Sequence, residues 1–223
     1  MFKSAFRASL LASAMLSAGA ANALVVNFDN GTAYTTAALT GFSTNGAGMD
    51  GMSVTAFFSA GGSETLAWTD TGAASGGVSA AGWSLNETGD TFGGTWTLMS
   101  AVGLDMIVIK GATGDTLFDV TSASSSSGSA SGWTFEITGG TPDVTATYSN
   151  IVSIGAAAAV GDLWETLTID FDSAFTGKLT FIADTDSAAT AGDLVPVDVP
   201  EPAMLALLGM GLAGLAVRRR ARA

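Results

Sequence analysis

From Leu24 to Val199, apolar and polar residues alternate along short runs separated by glycine, serine and alanine. Trp133-Thr-Phe135-Glu-Ile137 and Leu167-Thr-Ile169-Asp-Phe171-Asp each put every second apolar side chain on one face. Ser53–Phe58, Thr65–Trp68 and Thr95–Leu98 are further runs of this kind. A period of two with β-branched and aromatic residues is the signature of strands. Asp105–Ile109 is continuously apolar after its first residue, which predicts a central strand covered on both faces. Asn30-Gly31 predicts a hairpin turn after Leu24–Phe28. Gly72–Gly77 and Ser122–Ser131 read as small-residue loops. Helix signals are nearly missing. The expected fold class is all-β: an antiparallel β-sandwich or jelly-roll-like ectodomain.

A weak internal repeat accompanies this pattern. Glu64-Thr-Leu66 precedes Gly82-Trp83-Ser-Leu85, and Asp115-Thr-Leu117 precedes Gly132-Trp133-Thr-Phe135. The repeat predicts two strand–loop–strand units with Trp83 and Trp133 in matching places; chance resemblance in a biased composition is the alternative. The spacing is too irregular for a solenoid.

The chain has no cysteine and no histidine. The fold therefore needs no disulfide, and Ser-His-Asp triads, Cys-His pairs and His/Cys metal sites are excluded. Residues 24–199 carry two lysines against nineteen carboxylates, a net charge of −17. Nucleic acid and anionic membrane surfaces are poor partners for such a surface, while cations, neutral glycans and basic proteins remain open.

The two ends differ from this middle. Residues 1–23 have a basic start (Lys3, Arg7), an apolar stretch and Ala21-Asn22-Ala23, an A-x-A cleavage site. They predict a signal helix removed after Ala23, leaving Leu24 first. At the other end, Ala203–Val217 is uncharged and is followed by Arg218, Arg219, Arg220 and Arg222. As a helix this run spans ~22 Å, short for a bilayer core of about 30 Å. Local thinning and snorkelling arginines cover the difference. The arginines act as stop charges on the cytoplasmic side, so Pro200-Glu201-Pro202 lies outside. Gly209-Met-Gly211-Leu-Ala-Gly214 spells a dinucleotide-binding pattern but lies within this span, without the strand that reading requires.

Pro200, Glu201 and Pro202, the apolar run and the arginine block resemble, in that order, the PEP-CTERM sorting signal of exosortase systems. The same short region is also known as an ice-binding protein C-terminal domain; that label describes the tail and is no evidence of ice binding. The resemblance implies recognition by an inner-membrane exosortase, processing near the motif, and delivery to the cell surface or matrix, often beside exopolysaccharide. Gly51-Met-Ser-Val-Thr55, Glu64-Thr-Leu-Ala-Trp68, Gly82-Trp-Ser-Leu85, Asp90-Thr-Phe92 and Trp96-Thr-Leu98 look like ectodomains found ahead of such tails. Those ectodomains have no generally assigned activity.

Candidate binding residues are few. Asp184, Asp186 and Asp193 supply oxygens suited to Ca²⁺, without the glycine turn and distal glutamate of an EF-hand; a solvated acidic loop is the other reading. No other cofactor or metal is expected. Asp170 and Asp172 share an outward strand face. Trp68, Trp83, Trp96, Trp133 and Trp164 raise a carbohydrate-binding reading if two or more are exposed, against a core role for all five. Paired carboxylates of a glycosidase carry little signal among so many acids. The Asn30-Gly-Thr32 and Asn86-Glu-Thr88 sequons read as turns.

The resulting organisation is a signal peptide (1–23), a β-sandwich ectodomain (24–184), a linker (185–199) and a sorting and anchor segment (200–223) with a transmembrane helix over about 203–217. The expected role is structural or interactive, not enzymatic. A carbohydrate-binding module is the alternative, with a glycan hydrolase behind it.

Overall fold

A computed structural model describes residues 23–130, 132–188 and 195–196. The described residues are mostly β: about 60% of them are strand and 4% helical. Among the described residues fifteen strands join in one hydrogen-bonded sheet, mostly antiparallel. Among the described residues no helix is long and apolar enough to cross a membrane. The predicted helix at 203–217, the signal peptide up to residue 22 and the sorting motif lie outside the described residues.

Two long strands organise the sheet: β9 (Thr95–Lys110) and β13 (Leu163–Ile182). Their early and late halves have different neighbours. Thr95–Ser100 of β9 pairs with β8 (Trp83–Thr88), which continues to β7 (Ser75–Ala80) and β6 (Thr69–Gly72). Leu104–Lys110 of β9 pairs with β4 (Ser53–Phe58), which pairs with β5 (Ser63–Ala67). The register slips on both long strands at the changeover, between Asp170 and Phe175 and again before Gly177, whose φ is +109°. Such bulges let a strand bend from one half of a sheet to the other. In β9 the inward positions accordingly change phase, from Trp96 and Leu98 to Ile107 and Ile109, all fully buried.

On its other side, β13 pairs with β12 (Val144–Ile154) early and β11 (Glu136–Gly139) late. The edge of β12 is taken by β1 (Leu24–Asp29) and then β2 (Tyr34–Thr36), both parallel to it. The expected Asn30-Gly31 hairpin is therefore absent: β1 and β2 follow one edge with a jog between them. Gly31 (φ +48°) sits opposite Asn150 (φ +65°), and Asn150 Oδ1 accepts the Thr32 N–H at 3.2 Å. The paired left-handed residues step the chain sideways without reversing it. The second sequon also fails as a turn, since Asn86 lies within β8.

Two further readings change. The Gly72–Gly77 stretch is the tight β6–β7 hairpin. Gly76 there is fixed by packing: a Cβ would stand 2.1 Å from Gly46 O and 2.2 Å from Trp68 Nε1. Asp105–Ile109 is central, between β4 and β13, but only Ile107 and Ile109 are fully buried; Met106 and Val108 are half covered. The alternation of Leu167, Ile169 and Phe171 inward with Asp170 and Asp172 outward is as expected.

The remaining strands close one end. β10 (Thr116–Asp119) pairs with the start of β13 and with β14 (Thr185–Ala188), which pairs with β3 (Leu39–Gly41). Thr185–Ala188 thus belongs to the sheet, where a linker was expected from residue 185. β15 (Val195–Pro196) pairs with β2.

The core is aromatic. Trp96 lies 5.3 Å from Trp68 and stacks on Phe181 at 5.7 Å, and Phe135 meets Phe181 at 4.9 Å. Three of the four buried indoles donate their N–H to a backbone carbonyl: Trp68 to Gly46 at 2.7 Å, Trp96 to Ala183 at 2.9 Å and Trp164 to Gly161 at 3.1 Å. The Tyr148 hydroxyl accepts the Phe135 N–H at 2.8 Å.

Candidate functional site

The chemistry gathers where β10 ends and β14 begins. Asp119 closes β10, and its N–H donates to Asp184 O at 3.0 Å. Asp184 N–H in turn donates to Trp133 O at 3.1 Å. This ladder brings Asp119, Asp184 and Asp186 to one place, all nearly fully buried. Loops fold over them. Thr91 Oγ1 donates to Asp184 Oδ1 at 3.0 Å, and Ser129 Oγ lies 3.0 Å from Asp119 Oδ2 and 2.8 Å from Asp186 Oδ2. Nearby, Asp162 holds the same loop through the Ser126 hydroxyl at 2.8 Å and the Ser126 N–H.

The hydrogen count is short. One Ser129 hydroxyl proton faces two carboxylates, and Asp119 Oδ1 is buried without a partner. Burial therefore favours the neutral acids. It pushes Asp119 up to about 8, helped by the charges of Asp186, Asp184 and Asp162. Asp184 rises to about 7 and Asp186 to about 6, burial again the main cause. A fourth acid behaves alike: Glu87 is 1% exposed, and burial raises it to about 8 although the backbone of Gly46 and Thr88 pulls it the other way. Burial thus favours a proton on Asp119 at neutral pH, and the Thr91 and Ser129 hydroxyls donate to these carboxylates.

The sequence candidates fare differently. Asp184 and Asp186 are brought together, with Asp119 as an unforeseen third, but inside the fold and not on a solvated loop. Asp193 lies outside the described residues. Among the described residues no group of three or more acidic side chains has metal-holding geometry. Of the five indoles, Trp68, Trp83, Trp96 and Trp164 are at most 3% exposed, and Trp133 alone is open at 38%. The exposed indole pair that the carbohydrate-binding alternative required is not formed. The repeat also has no structural counterpart: Trp83 is buried in β8 and donates to Glu64 Oε2 at 3.0 Å, whereas Trp133 precedes β11 and donates to Glu136.

Sequence reasoning missed Glu87, Asp119, Asp162 and the hydroxyls over them. One signal was present. Glu87 continues the inward register of Trp83 and Leu85, so an acid stood at a core position of an alternating strand. Asp119 and Asp162 carry no local sign, because distant segments bring them in. An open groove of about 480 Å³ on the face of β7, β8, β9 and β13 has Lys178 as its only charged residue and lies apart from these acids.

These features define an acidic, mostly β domain with carboxylates buried beneath loops at one end. The chain carries, at residues 198–220, a PEP-CTERM protein-sorting motif. The motif implies exosortase as a processing partner, and export with passage through the membrane before the surface. No curated protein and no solved structure matches the chain.

Proposed function

We propose that this chain is a structural or interaction protein displayed on the surface or in the extracellular matrix of a Gram-negative-type bacterium. The sorting motif at 198–220 carries the reading. In this account exosortase recognises Pro200-Glu201-Pro202 and processes the tail near it, after the 203–217 helix and its arginines have held the chain in the inner membrane. The described domain suits such a life. It relies on no disulfide and carries a strong negative charge that keeps it soluble. Its first strand starts at Leu24, immediately after the expected cleavage site.

The fold is best read as a jelly-roll-like sandwich, with β9 and β13 running through both layers. Their bulges and the single aromatic core between the two sets of neighbours support this. A non-enzymatic role fits the clustered carboxylates, which lie beneath the loops and away from solvent. Display is tested on intact cells with a membrane-impermeant biotin reagent that labels Lys110 and Lys178, followed by N-terminal sequencing. The reading expects labelled protein beginning at Leu24. Protein that is labelled only after lysis, or that keeps Met1, contradicts it.

A further inference from the structure

Two loops at the polar end carry aromatic rings into solvent. Phe92 is 49% exposed and Trp133 38%, and their rings meet edge to face at 83° with centroids 5.8 Å apart. The fold anchors both loops through neighbouring groups and leaves the rings outside. Thr91 is tied to Asp184 and to Thr44 O, and the backbone of Trp133 is tied to Asp184. A third exposed ring, Phe42, lies against Gly128 of the serine loop at this end. Rigid loops holding open aromatic rings are pre-organised for a partner.

An exposed carboxylate is tied to each of the two residues, to the indole N–H of Trp133 and to the backbone N–H of Phe92. Trp133 Nε1 donates to Glu136 Oε2 at 3.0 Å, and the Phe92 N–H donates to Asp90 Oδ1 at 3.1 Å. Aromatic faces are electron-rich and attract cations, and carboxylates at the rim add to that attraction. An anionic partner is repelled, and a wholly apolar one would strip water from two carboxylates without return. The two lysines of the described domain, Lys110 and Lys178, lie on β9 and β13 and belong to neither loop.

We propose that the Phe92–Trp133 corner, with Asp90 and Glu136 at its rim, binds an arginine or lysine side chain of a basic polypeptide. It rests on the reading of this domain as an exported interaction module, which the surface-labelling experiment tests separately. A single corner suits one protruding side chain, whereas a polymeric glycan needs successive subsites; the open groove described above lies on another face.

The test uses the protein as purified from the cell surface. Trp133 is the exposed indole, so its emission reports on the corner. The peptide Ac-Gly-Arg-Gly-NH2 is titrated against its neutral isostere, with citrulline for arginine, at matched ionic strength. Saturable change with the arginine peptide alone is expected. Phe92→Ala and Glu136→Gln should each weaken it roughly fivefold. Asp170→Asn, an exposed carboxylate on β13, should leave it unchanged. Equal response to citrulline, no response to either peptide, or equal loss in Asp170→Asn overturns the proposal. So does a response to maltohexaose in place of the arginine peptide, which would assign the corner to a neutral glycan.

Discussion

Replacing Asp119 by asparagine should change how stability depends on pH, and the size of the change follows from the buried acids. In the unfolded chain Glu87, Asp119 and Asp184 ionise near pH 4. In the fold burial moves them to about 8, 8 and 7. Between those limits the native state keeps protons that the unfolded chain has released. Their contribution to stability is therefore complete below about pH 4 and is lost as the pH climbs towards 8. Each retained proton contributes a slope of about −1.4 kcal/mol per pH unit. Asp119→Asn keeps the shape, offers Ser129 and Asp186 an amide donor, and removes one titrating proton. Its slope between pH 5 and 7 should thus be shallower than that of the natural protein by about 1.4 kcal/mol per unit. Urea denaturation of both proteins at half-unit intervals, in high salt to screen the general negative charge, measures this. A natural protein whose stability rises from pH 5 to 8, or two parallel curves, would refute the reasoning.

Other outcomes can be checked alongside. Trp96→Ala removes the ring between Trp68 and Phe181 and should cost about 3–5 kcal/mol in the same assay. Gly76→Ala drives a methyl group into Gly46 O and Trp68 Nε1, so its melting temperature should fall sharply; an unchanged one would mean that β7 stands further from the Gly46–Met49 turn. Millimolar Ca²⁺ should not raise the melting temperature at pH 7 through Asp119, Asp184 and Asp186 alone, given their geometry. A calcium-dependent rise lost in Asp186→Asn would show that these acids recruit a ligand from beyond the described residues, Asp193 being the sequence candidate.

Strands that bury one face were legible residue by residue. Leu167, Ile169 and Phe171 point inward because a two-residue period leaves them no other side. Local signals failed where the partner was distant. Asn30-Gly31 has the composition of a reversing turn, but the β12 edge continues past it and Asn150 provides a matching step, so the chain runs on. Trp133 has the alternation of Phe135 and Ile137, yet it precedes the paired part of β11 and stays in solvent. The acid cluster needs Asp119 at the end of β10, Asp162 just before β13 and the Asp184–Asp186 segment, and only Asp184-x-Asp186 is visible as a short motif. The tail was readable for the opposite reason: its three parts are contiguous and act as a linear signal.

The central claim is that this linear signal decides the fate of the domain in front of it. The most direct test replaces Pro200-Glu201-Pro202 with three alanines and follows the protein by size and cell fraction. The account predicts an unprocessed precursor held in the inner membrane, with little at the surface. Normal processing and normal surface delivery of the alanine variant would contradict it.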